Sequence, residues 1–369
     1  MSIPFVDLRA HYQRYRSEWM GAVTRVLDSG RYVGGPEVQT FEREFSKYVS
    51  CKFGIGVASG TDALRLTLEA LGVGPGDRVV TVPFTFVSTV DAIVHLGAEP
   101  VFVDVEPRTL TMDPNRLREV LSLKPKVILP VHIYGQTADM SSICELASQA
   151  GAVVVEDAAQ AHGAEYRGRR AGAFGVASCF SFYPAKNLGA VGDAGAVTTN
   201  DKDLATKILA LRQYGETRKY HHSLVGYNSR MDPIQAAVLS AGLPALDVWN
   251  EERRQRASIY SSDLEHTDGI ELPTTDPERT HVFHIYAIRL KKRDELRAWL
   301  TSAGIETGIH YPIPVHFQPA YQNRTFHHTS LEVAEKAAQT VLSLPMYPEL
   351  PLESVHLVAS HIKEWAKQA

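Results

Sequence analysis

The feature that most restricts the fold of this chain is an alternation of short apolar runs with amphipathic segments between residues 53 and 199. Runs such as VIL at 127–129 and VVV at 153–155 have no polar face, which is typical of strands covered on both sides. This alternation predicts an α/β domain with a mostly parallel sheet. Strands are predicted at Phe53–Val57, Arg78–Val82, Pro100–Asp104, Lys126–Val131, Ala152–Glu156, Ala177–Phe182 and Ala194–Thr199, and helices at Thr61–Leu71, Ser88–Leu96, Asn115–Leu121 and Met140–Gln149.

The sequence pattern changes after Asp232 and indicates a second, smaller α+β domain. We therefore expect a large α/β domain at residues 1–240 and a small C-terminal domain at residues 241–369. The elements predicted in this part are one long helix at Pro233–Leu264, a loop at 271–280, a strand at His284–Leu290, and helices near 292–302, 330–341 and 352–366.

Charge and composition exclude several classes of protein. The chain of 369 residues has 38 Lys and Arg against 42 Asp and Glu, without a basic block, so we expect no nucleic-acid partner. Neither a signal-peptide core nor an apolar run of membrane-spanning length occurs, which predicts a cytoplasmic protein with no membrane partner. The 15 histidines show no zinc-ligand spacing, so we expect no bound metal. The three cysteines lack CxxC spacing, and Cys179 lies in an apolar run typical of a buried small residue.

The segment from 152 to 195 carries side chains suited to chemistry at one edge of the sheet. One predicted strand leads into Asp157, and Lys186 follows a second strand 29 positions later. Ligands bind at the carboxyl ends of the strands in open α/β sheets, so the two side chains are expected to meet over one crevice. Burial lowers the pKa of a lysine and lets it attack a carbonyl. A lysine Schiff base with an aspartate partner is the arrangement that pyridoxal phosphate requires.

Two segments are suited to bind phosphate. Ser181 lies at a predicted strand end before Lys186, and the glycine-rich stretch 189–195 permits close approach of the backbone. The segment 59–61 (Ser-Gly-Thr) follows a strand and opens an amphipathic helix, whose free N–H groups favour an anion. An ordinary helix cap without a ligand explains the segment 59–61 equally well.

Three side chains near these segments have both a structural and a functional interpretation. Phe84 and Phe86 follow a predicted strand, and either can stack on a flat heterocycle or pack in the core. His162 follows Asp157 in the segment QAHGA, where it can orient the aspartate. An ordinary buried histidine fits this position equally well.

Taken in order, these segments resemble the DegT/DnrJ/EryC1/StrS family of nucleotide-sugar aminotransferases. The resemblance implies the fold type I of pyridoxal-phosphate-dependent transferases (aspartate-aminotransferase-like), with a mostly parallel central sheet flanked by helices and a smaller C-terminal α+β domain. One branch of the family consists of dehydratases with a histidine in place of the Schiff-base lysine, so Lys186 indicates an aminotransferase. The motifs that carry the resemblance are FVDLRAHY, SGRYVGGPEV, SGTDALRL, PFTFVSTVDAI, PVHIYGQTADM, VEDAAQAHGA, SFYPAKNLGAVGDAGA, GYNSRMDPIQAA and GIHYPIPVHFQPAY.

The resemblance implies a role toward the cofactor, pyridoxal 5'-phosphate, for each candidate residue. Lys186 would form the Schiff base and carry the proton between substrate and cofactor, and Asp157 would pair with the pyridinium nitrogen. A homodimer is implied, with the active site at the subunit interface. The remaining implied contacts are Gln160 near the ring oxygen, Phe86 on the ring, Gly60, Thr61 and Ser181 at the phosphate, and Asn228 reaching the phosphate from the other subunit.

The segments SFYPAKNLGAVGDAGA and RKYHHSLVGYNSR resemble the subgroup that acts on 3-keto sugars. This implies transamination of a dTDP- or UDP-linked 3-keto sugar to the 3-amino sugar, with L-glutamate as the amino donor. The structural alternatives are that Tyr183 lies in the core and that His310 and Tyr311 only shape a Pro-rich turn. The substrate contacts implied are Tyr183, Lys219, Tyr220, His310 and Tyr311.

The sequence leaves three other functions open. The first is an aminotransferase for a nucleotide-linked 4-keto sugar or a cyclitol ketone. The second is a non-catalytic relative that binds pyridoxal phosphate or a nucleotide sugar. The third is another reaction of fold type I, such as decarboxylation or cysteine desulfuration, because these reactions use the same lysine and aspartate.

Overall fold

The computed structural model describes residues 2–368. The strands in this part of the chain form one large sheet and three two-stranded sheets. They are β1 (Phe53–Val57), β2 (Arg78–Thr81), β3 (Glu99–Phe102), β4 (Val127–Ile128), β5 (Val153–Asp157), β6 (Glu165–Tyr166), β7 (Arg169–Arg170), β8 (Ala177–Ser181), β9 (Gly195–Thr199), β10 (Glu216–Arg218), β11 (His221–His222), β12 (Tyr286–Arg289), β13 (His327–His328) and β14 (Val341–Leu344).

Several helices begin where a short polar side chain can satisfy a free backbone N–H group. Ser59, Asp139 and Asp201 each accept such a hydrogen bond at the start of a helix. The α-helices are α1 (Leu8–Arg14), α2 (Arg16–Ser29), α3 (Pro36–Val49), α4 (Gly60–Ala70), α5 (Ser88–Val94), α6 (Pro114–Val120), α7 (Met140–Ala150), α8 (Lys202–Leu211), α9 (Pro233–Gly242), α10 (Leu246–Leu264), α11 (Arg293–Ser302), α12 (Glu332–Thr340) and α13 (Leu352–Ala366), and short 3-10 helices lie at Leu121–Leu123, Ile133–Gly135, Leu243–Ala245, Val315–Phe317 and Pro319–Tyr321.

The large sheet has the strand order β1-β9-β8-β5-β4-β2-β3-β13. Strands β8, β5, β4, β2, β3 and β13 run parallel, whereas β9 is antiparallel to both β1 and β8. The predicted mostly parallel sheet is therefore confirmed. Because the parallel strands end at the same edge, the loops that follow β2, β4, β5 and β8 lie together there.

Apolar side chains cover both faces of the large sheet, as the uninterrupted apolar runs predict. One core contains Leu64 and Leu66 from α4 with Ile208 from α8. The other contains Leu117 from α6 and Ile143 from α7. The sheet is therefore the middle layer between two sets of helices. Because both faces are covered by apolar side chains, a ligand site is expected at an edge of the sheet.

A further core lies in the C-terminal part of the chain. Strands β12 and β14 form an antiparallel pair, against which Tyr260 of α10, Leu296 of α11 and Val358 of α13 are buried. Ile3 is buried in the same core and bridges Ile305. The domain division after residue 240 stays a prediction.

The predicted single helix at Pro233–Leu264 is wrong. The chain forms α9, a 3-10 turn at Leu243–Ala245 and then α10. Pro244 lacks an N–H group and its ring crowds the preceding turn, so an uninterrupted α-helix is unfavourable there. The other predicted helices and strands agree in type with the structure, although β4 is confined to Val127–Ile128.

Two expectations from composition can be compared with the structure. Cys179 is buried, as predicted, and burial raises the pKa of its thiol. Between residues 2 and 368, no helix has the length and apolar character needed to span a membrane.

Candidate active site

Lys186 lies after β8, in a crevice at the edge where the parallel strands end. Its side chain is half-buried, and its Nζ lies 3.5 Å from Nε2 of His284. Burial lowers the pKa of Lys186 to about 8, although the negative charge of Asp157 opposes this shift. An amine with this pKa is partly neutral near physiological pH, as nucleophilic or proton-transferring lysines require.

Asp157 ends β5, the strand beside β8, and its side chain is buried. Oδ2 accepts a hydrogen bond of 2.8 Å from the Thr89 hydroxyl, and Oδ1 accepts one of 3.2 Å from the Ala159 N–H. Burial raises the pKa of Asp157 above its ordinary value, although these hydrogen bonds and the charge of Lys186 oppose the shift. Such a carboxylate is stabilised by a cationic partner that enters the crevice.

A buried network behind Asp157 fixes the end of β5. Glu156, the preceding residue, accepts hydrogen bonds from His132 Nε2 at 3.0 Å and from Ser178 Oγ at 2.7 Å. Three backbone N–H groups between residues 172 and 175 also bond to Glu156. Burial alone would raise the pKa of Glu156, but His132 and these bonds hold it below its ordinary value. The Asp157 carboxylate is therefore presented by a rigid strand end.

Gln160 connects two tyrosines at the crevice. Its Oε1 accepts a 2.7 Å hydrogen bond from the N–H of Tyr134, and its Nε2 donates to the Tyr311 hydroxyl at 3.2 Å. Burial and the charge of Asp157 raise the pKa of Tyr311, so this phenol stays protonated. Gln160 and Tyr311, both predicted site residues, are thus brought together from the two halves of the chain.

The two phenylalanines after β2 have different surroundings. Phe84 is fully buried and packs edge-on against Tyr134, whereas Phe86 is 51% exposed. The rings of Phe86 and Tyr311 lie 5.7 Å apart at an angle of 43°. Phe86 therefore offers a free ring face at the crevice, as expected for a residue that stacks on a ligand.

Gly60, Thr61 and Ser181 meet at the same edge. Gly60 and Thr61 begin α4, where their N–H groups have no partner within the helix. A Cβ atom on Gly60 would lie 2.6 Å from Cβ of Ser181, so only glycine permits this approach. A Cβ atom on Gly195 would lie 2.3 Å from the Ser59 carbonyl oxygen, so the backbone of Gly195 packs directly against the residue before Gly60. The result is a small cradle of backbone N–H groups and one hydroxyl.

Asn228 is exposed, and the residue that follows it is hydrogen-bonded to the segment just before this cradle. The next residue, Ser229, accepts a hydrogen bond through its carbonyl from the N–H of Ala58. The backbone of Asn228 bridges Gln213. Its side chain therefore remains available at the surface.

Three predicted substrate residues lie on the surface. Tyr183 is 56% exposed, which excludes its alternative placement in the core. Lys219 and Tyr220 lie in the turn of the β10–β11 hairpin (residues 216–222), where Tyr220 is 80% exposed. The Lys219 ammonium lies 5.2 Å from the centre of the Tyr220 ring. Within residues 2–368, no hydrogen bond joins the β10–β11 hairpin to the Lys186 crevice.

His310 and Tyr311 contribute to the crevice from the C-terminal part. The His310 ring stacks on Phe5 at 5.4 Å, and its Nδ1 lies 2.9 Å from the Ser343 hydroxyl. Its carbonyl accepts a hydrogen bond from the Tyr134 hydroxyl. Burial and the charge of Lys186 lower the pKa of His310 to about 4, so its ring is neutral at physiological pH.

His162 is buried between Phe180 and Phe182, with ring centres 5.4 Å away from both. Neither ring nitrogen has a hydrogen-bond partner, so His162 does not orient Asp157 through a hydrogen bond. Burial and the charge of Lys186 lower its pKa to about 3. It is a neutral core residue in the wall of the crevice.

Thr89 and His284 were not anticipated as site residues. Thr89 belongs to the motif PFTFVSTVDAI and lies on the first turn of α5, directly after the β2 loop, and this position in the motif indicates a place at the same sheet edge as Asp157. His284 was predicted as the start of a strand, but it precedes β12. No local pattern indicates its contact with Lys186, which is 98 residues away in the sequence. Among residues 2–368, no group of three His, Cys, Asp or Glu side chains is arranged to hold a metal ion.

Comparison with known proteins places the chain among sugar aminotransferases. The model of the DegT/DnrJ/EryC1/StrS aminotransferase family matches residues 13–363. A dTDP-3-amino-3,4,6-trideoxy-alpha-D-glucose transaminase of Streptomyces venezuelae is 46% identical over 366 residues, which cover 99% of this chain and 97% of that protein. A pleiotropic regulatory protein of Geobacillus stearothermophilus is 45% identical over 368 residues, or 99% of both chains.

The crystal structure of S. venezuelae DesV in complex with a ketimine intermediate superposes with a TM-score of 0.97 at 46% identity, covering 100% of this chain and 99% of that one. This fold, with its lysine and aspartate at the sheet edge, defines a pyridoxal-phosphate-dependent enzyme of fold type I. The chain belongs to the DegT/DnrJ/EryC1/StrS aminotransferase family, and its cofactor is pyridoxal phosphate. The predicted family, fold, enzyme class and cofactor are confirmed.

The crevice fits this cofactor in two respects. The cradle at Gly60 and Ser181 leaves no room for a Cβ atom, which keeps backbone N–H groups accessible to a phosphate. Asp157 is a buried carboxylate that forms no ion pair within residues 2–368, and a protonated ring nitrogen would supply the missing cation.

Proposed function

We propose that this enzyme transfers the amino group of L-glutamate to a dTDP- or UDP-linked 3-keto sugar and releases the 3-amino sugar. Glutamate would leave as 2-oxoglutarate, so that a ketone and an amine exchange places between the two substrates. The 46% identity with a transaminase named for a 3-amino sugar product supports the position of the ketone. The name of the regulatory relative does not weigh against catalysis, because this chain retains both Lys186 and Asp157.

The observation that carries this proposal is the charge interaction between Lys186 and the buried Asp157 carboxylate, at the edge where the parallel strands β5 and β8 end. Bound pyridoxal phosphate supplies an electron sink for the bond that breaks at the substrate carbon. Asp157 would keep the ring nitrogen protonated, and Gln160 would lie near the ring oxygen. Lys186, with its pKa of about 8, would bind the cofactor covalently at rest and then move the proton at the reacting carbon.

The cradle would hold the cofactor phosphate. The N–H groups of Gly60 and Thr61 and the hydroxyl of Ser181 supply donors that suit a dianion. Phe86 would stack on the ring through its free face. Together these contacts would hold the cofactor at both ends before a substrate arrives.

A homodimer is part of the proposal, with Asn228 completing the phosphate site of the partner subunit. Asn228 is exposed, and the segment that precedes it in the sequence carries the exposed side chains of Val225 at 90% and Tyr220 at 80% exposure. A surface of this kind is typical of a protein interface. We also propose that the enzyme is cytoplasmic.

The nucleotide sugar would bind on the open side of the crevice. Tyr183, His310 and Tyr311 would contact the sugar or the diphosphate. Lys219 offers a positive point charge suited to a diphosphate, and the neighbouring Tyr220 offers an exposed aromatic face. The neutral ring of His310 and the protonated phenol of Tyr311 would act as hydrogen-bonding groups toward hydroxyls.

The test is an absorbance spectrum of the purified enzyme during a stepwise reaction. We expect a visible cofactor band that L-glutamate bleaches and that a dTDP- or UDP-linked 3-keto sugar restores. Lys186→Ala serves as the control, because it should show neither change.

The same titration separates the other candidate functions. Restoration only by a 4-keto sugar or a cyclitol ketone would move the substrate assignment to those ketones. Cofactor binding without bleaching would contradict the glutamate assignment and favour another fold type I reaction. A protein that binds cofactor and nucleotide sugar without turnover would be the non-catalytic relative.

A further inference from the structure

We infer that His284 is a positioning residue for Lys186, whose ammonium group donates a hydrogen bond to His284 Nε2 whenever the lysine is not bound to the cofactor. This inference rests on the proposed role of Lys186 as the group that leaves the cofactor, moves a proton and returns. A free lysine in an open crevice has many rotamers. A fixed acceptor would hold its Nζ within reach of the reacting carbon.

The contact is specific to His284. Nζ of Lys186 lies 3.5 Å from Nε2 of His284, which is at the long end of hydrogen-bond distances. Within the described residues, Lys186 forms no ion pair, and Asp157 acts on it only as a more distant charge. His284 is therefore the hydrogen-bond partner that the protein itself offers to the free lysine.

The protonation state of His284 suits an acceptor. Burial, together with the positive charges of Lys186 and Arg253, keeps the pKa of the ring well below its ordinary value, so the ring is neutral. A lysine ammonium has donors only, so Nε2 must carry the lone pair and Nδ1 the proton. Nδ1 is buried and has no hydrogen-bond partner, so no other protein group competes for the ring.

The backbone around His284 is tied to the loop that carries Lys186. Asn187, the residue after Lys186, donates from Nδ2 to the carbonyl of Val282 at 2.9 Å. Arg253 donates from Nη1 to the carbonyls of Phe283 and His284 at 3.1 and 3.4 Å. The backbone that carries His284 therefore cannot move away from the Lys186 loop without loss of buried hydrogen bonds.

Glycine at position 135 allows this arrangement. Gly135 has a φ of +106°, and a Cβ atom there would lie 3.1 Å from the backbone nitrogen of His284 and 2.8 Å from Val282 Cγ2. The carbonyl of Gly135 accepts a 2.9 Å hydrogen bond from the Val282 N–H. The segment 282–284 is thus clamped between the loops after β4 and β8.

The experiment measures the pKa of Lys186 in the full-length protein freed of cofactor. Competitive acetylation with acetic anhydride is followed across a pH series, and mass spectrometry quantifies the peptide that contains Lys186, with exposed Lys219 as internal reference. In His284→Phe, loss of the acceptor destabilises the ammonium form of Lys186, so the pKa of Lys186 should fall by about one unit, or about tenfold in the proton-binding constant. His284→Gln retains an acceptor and should restore the value of the unchanged protein, and exposed His266→Gln should have no effect.

Two results would overturn the inference. The first is an unchanged Lys186 pKa in His284→Phe, and the second is an equal fall in His284→Phe and His284→Gln. If His284→Phe does not fold, ¹⁵N NMR of the unchanged protein decides the question. Nε2 of His284 should then show an acceptor-type shift that follows the titration of Lys186, and protonation of the ring near its ordinary pKa would contradict the inference. None of these measurements involves turnover, so failure of the proposed function would be seen separately in the absorbance test.

Discussion

The predicted site residues of the Lys186 crevice and of the β10–β11 hairpin differ in burial and in hydrogen bonding. In the crevice, Asp157 and Gln160 are buried, and each has at least two hydrogen bonds to defined partners. In the hairpin, Lys219 and Tyr220 extend into solvent, and only the backbone is fixed, for example by a 2.8 Å bond from the Tyr220 N–H to Glu216. The crevice side chains are therefore held in place by the protein itself, whereas the hairpin side chains have no fixed position before a ligand or a partner binds.

This contrast follows from the different tasks of the two regions. Proton transfer at carbon requires groups whose pKa and position are set before the substrate arrives. Recognition of a nucleotide sugar tolerates side chains that become ordered on binding. Mutations in the crevice should therefore change the rate of the chemical step, whereas mutations in the hairpin should change the apparent affinity for the sugar.

Lys186→Ala should have the largest effect of any single change. The variant loses both the covalent link to the cofactor and the group that moves the proton, so turnover should fall by at least about 10⁴-fold. Turnover with L-glutamate and the 3-keto sugar is the measurement. Lys207→Ala, an exposed lysine on α8, is the matched control and should retain full activity. Near-normal turnover in Lys186→Ala would remove the lysine from the mechanism.

Asp157→Asn should have the next largest effect. The amide keeps the shape of the side chain but cannot pair as an anion with a protonated ring nitrogen, so kcat should fall by about 10²–10³-fold. The KM for the sugar should change little, because the hairpin is untouched. Thermal unfolding should remain close to that of the unchanged protein. A variant with unchanged kcat would require another group to keep the ring nitrogen protonated.

The crevice could be predicted from the sequence because its main residues follow apolar runs. Asp157 is the last residue of β5, Lys186 lies five residues after β8, and the parallel arrangement brings the ends of these two neighbouring strands together. The contact between Lys186 and His284 could not be predicted, since it depends on how two distant segments pack. The pair β3 and β13 was missed for a similar reason, because β13 has only the two polar residues His327 and His328 and exists through its register with β3.

The buried histidine in the crevice wall predicts a pH dependence of folding. His162 has an ordinary pKa of 6.5 when unfolded and a pKa of about 3 when folded, so the unfolded state binds more protons between these values. Stability should therefore fall as the pH decreases below about 6.5, by about 2 kcal/mol at about pH 5 from this residue alone. His162→Phe should remove this part of the slope. Chemical denaturation at several pH values is the measurement.

Exposed His266, at the end of α10, provides the control for this prediction. Its side chain is not buried, so His266→Phe should leave the pH dependence of unfolding unchanged. An identical slope in His162→Phe and the unchanged protein would mean that His162 gains a partner or becomes protonated in the folded state. The crevice would then be less closely packed than its contacts indicate.

The smallest effect is expected from the hairpin. Lys219→Ala and Tyr220→Ala should raise the KM for the nucleotide sugar by about tenfold or less, because an exposed charge or ring contributes about 1 kcal/mol when it meets a ligand. The free energy of unfolding should change by no more than about 0.5 kcal/mol, since neither side chain is buried in the lone subunit. Steady-state kinetics with varied sugar and fixed L-glutamate is the measurement, and Lys207→Ala is again the control.

The rate of the half-reaction with L-glutamate distinguishes a hairpin that recognises the sugar from one that takes part in the chemistry. If the hairpin acts only on the sugar, the half-reaction with L-glutamate alone should proceed at the normal rate in Lys219→Ala and Tyr220→Ala. A loss of the glutamate half-reaction would place the hairpin in the cofactor site, through the partner subunit that Asn228 is proposed to reach. The division between a crevice that performs the chemistry and a hairpin that only recognises the sugar would then fail.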